Sequence, residues 1–162
     1  MGEAPTIALT KLLGGGSADY AESVSTASDG SIYIAGRTSG SIDGQSNNGL
    51  TDAFITKLNS DGSKVWTKLL GGASLDNAYS VSTASDGSIY IVGVTDGSID
   101  GQTNNGSVDA FITKFNSDGS KVWTKLVGGA SYEYARSVST ASDGSIYIAG
   151  YTEGSIDRKS VV

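Results

Sequence analysis

The decapeptide Ser25–Ile34, STASDGSIYI, returns without a change at Ser82–Ile91 and Ser139–Ile148. Each copy joins two runs of β-favouring residues at an Asp-Gly, a strong short-range hairpin signal. Asp29, Asp86 and Asp143 lie 57 positions apart, and so do Trp66 and Trp123. A fixed period of this size marks a repeat architecture, in which units too small to bury a core alone stack on their neighbours.

Outward from the decapeptide, the first whole unit reads as four strands: Tyr20–Ala27, Ser31–Thr38, Asp52–Asn59 and Ser63–Leu70. Its tight turns are Ser28-Asp29-Gly30 and Ser60-Asp61-Gly62, where Gly permits positive φ and the Asp side chain can bond nearby N–H groups. The second unit repeats the pattern with Asn77–Ala84, Ser88–Thr95, Asp109–Asn116 and Ser120–Val127, and the third supplies Tyr134–Ala141 and Ser145–Thr152. Ile7–Leu13 lines up with Lys64–Leu70 and reads as the last strand of a unit, with Leu9 where the copies have Trp. The chain divides accordingly into a lead-in (1–6), an orphan outer strand (7–13), blade 1 (14–70), blade 2 (71–127), a partial blade 3 (128–157) and a divergent tail (158–162).

Four antiparallel strands per unit, with no helical periodicity, predict an all-β protein: a β-propeller of four-stranded blades, just under three per chain. In the second strand Ile32 and Ile34 point one way and Tyr33 and Ala35 the other, which suits a sheet sandwiched between two neighbours. The first strand, rich in Ser, Thr and Ala, suits a crowded central channel. Trp66 and Trp123 on the fourth strand suit the splayed outer gap between blades. The competing reading is an open stack of sheets or a β-solenoid, whose coils are usually shorter than this period.

Composition narrows function more by exclusion. There are 23 Gly and 1 Pro, the profile of many short strands with tight turns. A net charge of −6 and a pI near 4.4 argue against nucleic acid as a partner. No apolar run is long enough to span a bilayer, and no basic-then-apolar signal peptide opens the sequence. With neither Cys nor His, the chain lacks thiolate chemistry and the commonest general base. The expectation is a non-enzyme with no cofactor, calcium excepted.

Three features resemble a known family: a G-x-T after the second strand, a D-A-F-I-T-K third strand, and a Trp followed by L-x-G-G in the fourth. Together they are similar to the bacterial β-propeller repeat called SBBP, over nearly the whole chain outside 1–6 and 158–162. The resemblance implies an origin in a large bacterial surface or secreted protein, hence an extracellular or cell-surface location, and no assigned activity. Propellers typically close with four to eight blades. Eleven expected strands fall short of that, and open ends expose unpaired edges. The expected partner is therefore the chain itself, as a ring-closed homodimer or higher closed oligomer, with Ile7–Leu13 completing the partner's third blade and Lys159–Val162 standing in for part of the strand that should precede it.

Between copies the tight turns are constant, and variation gathers in two connections that a propeller brings to one face. Before the first strand stand Tyr20 and Glu22; Asn77 and Tyr79; and Tyr132, Tyr134 and Arg136. After the second strand stand Arg37, Asp96, Tyr151 and Glu153. Tyr and Arg are enriched in binding hot spots, so these residues form a candidate ligand face for a glycan or protein. Drift in loops without special turn chemistry is the alternative explanation.

A second candidate is the long connection between strands two and three. Asp43, Asn47 and Asp52, with Asp100, Asn104 and Asp109 in the next copy, offer the hard oxygen ligands that Ca²⁺ takes, in a calcium-stabilised structural repeat. The spacing matches neither an EF-hand nor a calcium β-helix, and an Asx-turn-rich loop explains the same residues. The enzymatic alternative is a sialidase-like glycosidase, because SDGSKVW superficially resembles an Asp-box. Here Asp and Gly are adjacent and the Trp spacing differs, so the segment reads as a hairpin turn.

Overall fold

A computed structural model describes residues 12–155. Blade 1 is β1 (Asp19–Thr26), β2 (Ile32–Thr38), β3 (Asp52–Leu58) and β4 (Lys64–Leu70). Blade 2 is β5 (Asp76–Thr83), β6 (Ile89–Thr95), β7 (Asp109–Phe115) and β8 (Lys121–Val127). Blade 3 has β9 (Glu133–Thr140) and β10 (Ile146–Thr152). All neighbours within a blade are antiparallel and in sequence order, the architecture of a β-propeller of about two and a half blades.

The hairpins are set by their aspartates. Asp29 Oδ1 accepts the Ser31 N–H (2.8 Å), and the same bond recurs from Ser63 to Asp61, Ser88 to Asp86, Ser120 to Asp118 and Ser145 to Asp143. These serines were expected to open the strands, but the captured N–H assigns them to the turns, and each strand begins one residue later. Of the expected strand Ile7–Leu13, residues 12 and 13 lie outside any strand, and the remainder falls outside the described residues, as do 158–162.

Blades pack through alternating faces. Tyr33, Ala35, Ala53, Ile55 and Leu70 of blade 1 meet Ala78, Val81, Ile89, Ile91, Phe111 and Phe115 of blade 2 in one buried core. A second core places Tyr90, Val92, Ala110 and Ile112 against Ala135 and Val138 of blade 3. β6 is buried along its whole length because it faces both cores. Trp66 packs on the first core, tilted against Tyr33 at 6.0 Å between ring centroids, and its indole N–H reaches the Ser117 carbonyl of blade 2 (3.4 Å). It therefore wedges the outer gap between blades 1 and 2.

The inner strands β1, β5 and β9 run side by side and are joined through Ser and Thr. Thr83 Oγ1 donates to the Thr26 carbonyl (3.0 Å) and Thr140 Oγ1 to the Thr83 carbonyl (2.9 Å). Ser23 and Ser80 hydroxyls accept from the Val81 and Val138 N–H groups, each at 3.2 Å. Hydroxyls thus substitute for main-chain pairing where converging blades have no ladder between them.

The β2–β3 connection is no open loop. Ile42 and Gln45 exchange two backbone hydrogen bonds across Asp43 and Gly44, whose φ values of 52° and 74° are those of a tight hairpin turn. Asp43 reaches Lys64 and Thr67 on β4, which places the tip against its own blade, and Ile42 is buried. Ile99, Asp100, Lys121 and Thr124 repeat the arrangement in blade 2.

Candidate functional site on the diversified face

Each inner strand carries one β-bulge at the same place. Pairing runs from Ala21 to Ser23, from Ala78 to Ser80 and from Ala135 to Ser137, so Glu22, Tyr79 and Arg136 have no partner residue on the second strand. A bulge re-aims the extra side chain, and bulges are over-represented beside functional sites. The glycines opposite, Gly36, Gly93 and Gly150, make it possible. A Cβ at any of them would collide with the carbonyl oxygen of Tyr20, Asn77 or Tyr134. The Gly of the G-x-T pattern therefore serves the bulge. Its Thr serves the next loop: Thr38 Oγ1 donates to the Gly40 carbonyl (2.9 Å) and accepts the Gly40 N–H (3.1 Å).

Beside each bulge lies a cross-strand pair: Tyr20 opposite Arg37, Asn77 opposite Val94, and Tyr134 opposite Tyr151. The fold brings these varied positions into two clusters. In blade 1 the Arg37 guanidinium lies 4.5 Å from the Tyr20 ring centroid and pairs with Glu22 at 2.9 Å. Where blades 2 and 3 meet, Arg136 stands 4.4 Å from Tyr79, 5.0 Å from Tyr134 and 5.7 Å from Tyr151, and the last two rings stack at 4.6 Å. Burial pushes the Tyr134 phenol up, and the neighbouring Tyr151 and Tyr79 add to the shift. Such an array offers flat aromatic faces and a guanidinium donor, the chemistry that stacks on sugar rings or peptide side chains.

The other varied residues are held by loops. Thr51 Oγ1 donates to Asn77 Oδ1 (3.1 Å), and Asp96 Oδ1 accepts the Leu75 N–H (2.6 Å). Tyr132 sits beside Val108 in a short parallel bridge and keeps its ring exposed; its carbonyl accepts the Glu153 N–H (2.9 Å).

Each of the six oxygen-bearing residues considered for calcium has protein partners. Burial would raise the Asp43 carboxyl, but the hydrogen bonds from Lys64 and Thr67 and the Lys64 charge outweigh it and leave its pKa lowered. Asp100 makes the same contacts to Lys121 and Thr124. Asn47 is used by its own loop, its amide donating to the Thr38 carbonyl (3.0 Å) and its oxygen accepting the Gly49 N–H (2.7 Å); Asn104 does likewise. Asp52 and Asp109 stand buried at the head of the third strands, each accepting one N–H, from Asn48 or Asn105 (both 3.0 Å). Among the described residues, no three acidic side chains gather at one point.

Comparison with known proteins agrees with the fold. Residues 122–157 match the β-propeller repeat model SBBP, and residues 27–64 match a β-propeller domain of unknown function, DUF5122. The chain carries β-propeller repeats. A curated relative, the regulatory protein FlaEY of Caulobacter vibrioides, is 26% identical over 145 residues, which cover 81% of this chain and 15% of that protein. The repeat thus spans a small part of its relative's length. Among the described residues no helix is long and apolar enough to cross a membrane.

Sequence reasoning found the varied positions of the repeat but missed the bulge that organises them. A second omission is a set of buried acids heading the inner strands. Asp76 and Glu133 are as buried as Asp52 and Asp109, and they accept the Gly72 and Gly129 N–H groups at 2.8 Å. The signal was available, since an acid recurs at Asp19, Asp76 and Glu133, each 57 positions after the last.

Proposed function

We propose that this chain is a non-catalytic propeller module of a bacterial surface protein, which binds a glycan or protein through its diversified face and completes its ring with a second copy. The observation that carries the binding reading is the position of the variation. The bulge residue changes from Glu22 to Tyr79 to Arg136, while the strand that follows it, Ser-Val-Ser-Thr, is constant in all three copies. A site that demanded no particular side chain for folding, yet collected Tyr and Arg, is what recognition would produce. Tyr132, Tyr134 and Tyr151 changed together to Ala are expected to abolish retention of ligands found in a glycan and protein binding screen. Retention unchanged by the triple variant would place the site elsewhere.

Ring closure is supported by unequal burial of equivalent residues. Tyr33 and Tyr90 are 1% and 6% exposed, whereas their counterpart Tyr147 in blade 3 is 62% exposed. On the opposite side, Val81 and Val138 are 5% and 6% exposed, against 64% for Val24 in blade 1. The two ends of the described structure therefore offer the two halves of one blade interface, and a second copy supplies both complements. Light scattering at micromolar concentration is expected to give the mass of a dimer or larger closed ring; a monomer mass would remove this part of the proposal.

A further inference from the structure

The diversified face carries two arginines among the described residues, and their surroundings differ. Arg37 in blade 1 has its charge answered from within, because Glu22 lies 2.9 Å from the guanidinium. Arg136, exposed on the β9 bulge, forms no ion pair with any described residue. Its neighbours are rings: Tyr79 across the blade junction, and the stacked Tyr134 and Tyr151 of its own blade. The Tyr151 hydroxyl and the three phenols favour the charged guanidinium against burial, with no carboxylate among them. Glu153 is the acid whose charge reaches Tyr134, and it does not pair with Arg136. Ring faces attract a guanidinium without taking strong hydrogen bonds from it, so most of its five N–H donors stay open to a ligand.

We infer, resting on the reading of this face as a binding surface, that the Arg136 cluster takes a sugar bearing a carboxylate, a hexuronate unit of an acidic polysaccharide. The guanidinium fork matches a carboxylate in shape and charge and makes two parallel hydrogen bonds to it. The tyrosine rings present flat apolar faces with polar tips, suited to the C–H face and the hydroxyls of the same pyranose. A neutral sugar would cover the guanidinium without pairing it, and a buried unpaired charge is costly. An Asp or Glu side chain of a peptide would meet the guanidinium but bring no flat ring to the tyrosines. Blade 1 lacks the same chemistry, because Glu22 already occupies the fork of Arg37.

The test is calorimetric titration of the full chain with oligosaccharides of galacturonic, glucuronic and mannuronic acid, each also as its methyl ester, which keeps the ring and removes the charge. At least one acid form is expected to bind, and its ester about tenfold or more weakly. Arg136→Gln is expected to lower binding of the acid form to the level of the ester while leaving the ester unchanged. Arg136→Lys keeps the charge without the fork and is expected to fall between; it decides should the glutamine variant fail to fold. Equal binding of acid and ester, both lost when Tyr132, Tyr134 and Tyr151 are changed together to Ala, would overturn the inference and leave the face a site for neutral glycans. Binding of the acid form unchanged by Arg136→Gln, equal binding of an oligoglutamate peptide, or no binding by any of the acids would overturn it as well.

Discussion

Asp52, Asp76 and Asp109 are buried carboxylates, and each has one oxygen, Oδ1, with no hydrogen-bond partner among the described residues. Burial raises all three above the ordinary 3.8, against the pull of the Thr95 hydroxyl at Asp76 and of the N–H groups they accept. A raised folded pKa means that ionisation costs stability at neutral pH, and the cost fades as pH falls from the folded value to 3.8. The turn aspartates act in the other direction. Backbone N–H donors from Ser31, Ser88 and Ser145 lower Asp29, Asp86 and Asp143, and the Ser120 hydroxyl and N–H lower Asp118. Their contribution is present above 3.8 and is lost as pH falls through the lowered folded values. The melting temperature is therefore expected to rise on mild acidification, pass a maximum above 3.8 and fall below it; a decline beginning at neutral pH would contradict this. Asp52→Asn keeps the shape and removes the charge. It is expected to stabilise the chain at neutral pH by about 1 kcal/mol, with the gain vanishing in acid, as followed by thermal melts across pH.

At the scale of the element, the bulge and its facing glycine form one device. Gly93→Ala forces a methyl group against the Asn77 carbonyl and is expected to cost about 1–3 kcal/mol in denaturant unfolding. Tyr79→Ala, on the bulge itself, is expected to cost about 0.5 kcal/mol or less. Equal costs would mean that the bulge residue is part of the fold. Repeat period, strand existence and turn positions were legible in the sequence because Asp-Gly turns and alternating Ile and Tyr leave local signatures. The bulge was not, since a strand of Ala, Ser, Val and Thr has no sharp polar–apolar alternation whose phase would reveal one extra residue. The hairpin inside the β2–β3 connection was legible in principle from Asp43-Gly44, but neighbouring Asn and Ser suggested a loose loop. Which varied residues touch was beyond the sequence, because Arg136 meets Tyr79 across a blade boundary.

At the scale of the whole molecule, blade 2 is enclosed on both sides, while among the described residues blades 1 and 3 each leave a face open. Hydrogen exchange is expected to be slowest in β6, buried throughout, and fastest in β10, largely exposed; comparable protection in both would mean that the open face is covered in solution. The Ser and Thr bonds between inner strands couple each blade to the next, so stability is shared among neighbours much as in other repeat proteins. The bulges acquire a different meaning at this scale. Every blade holds its place in the stack through constant residues and presents, at one fixed place, a side chain that varies from copy to copy. Such a face is modular: one blade can be rewritten without consulting the others. A library randomised at 22, 79 and 136, together with their cross-strand neighbours, would sample new surfaces on an unchanged scaffold. Copying a blade would bring a fresh blank slot with it, so growth by duplication and diversification of the face become a single evolutionary step.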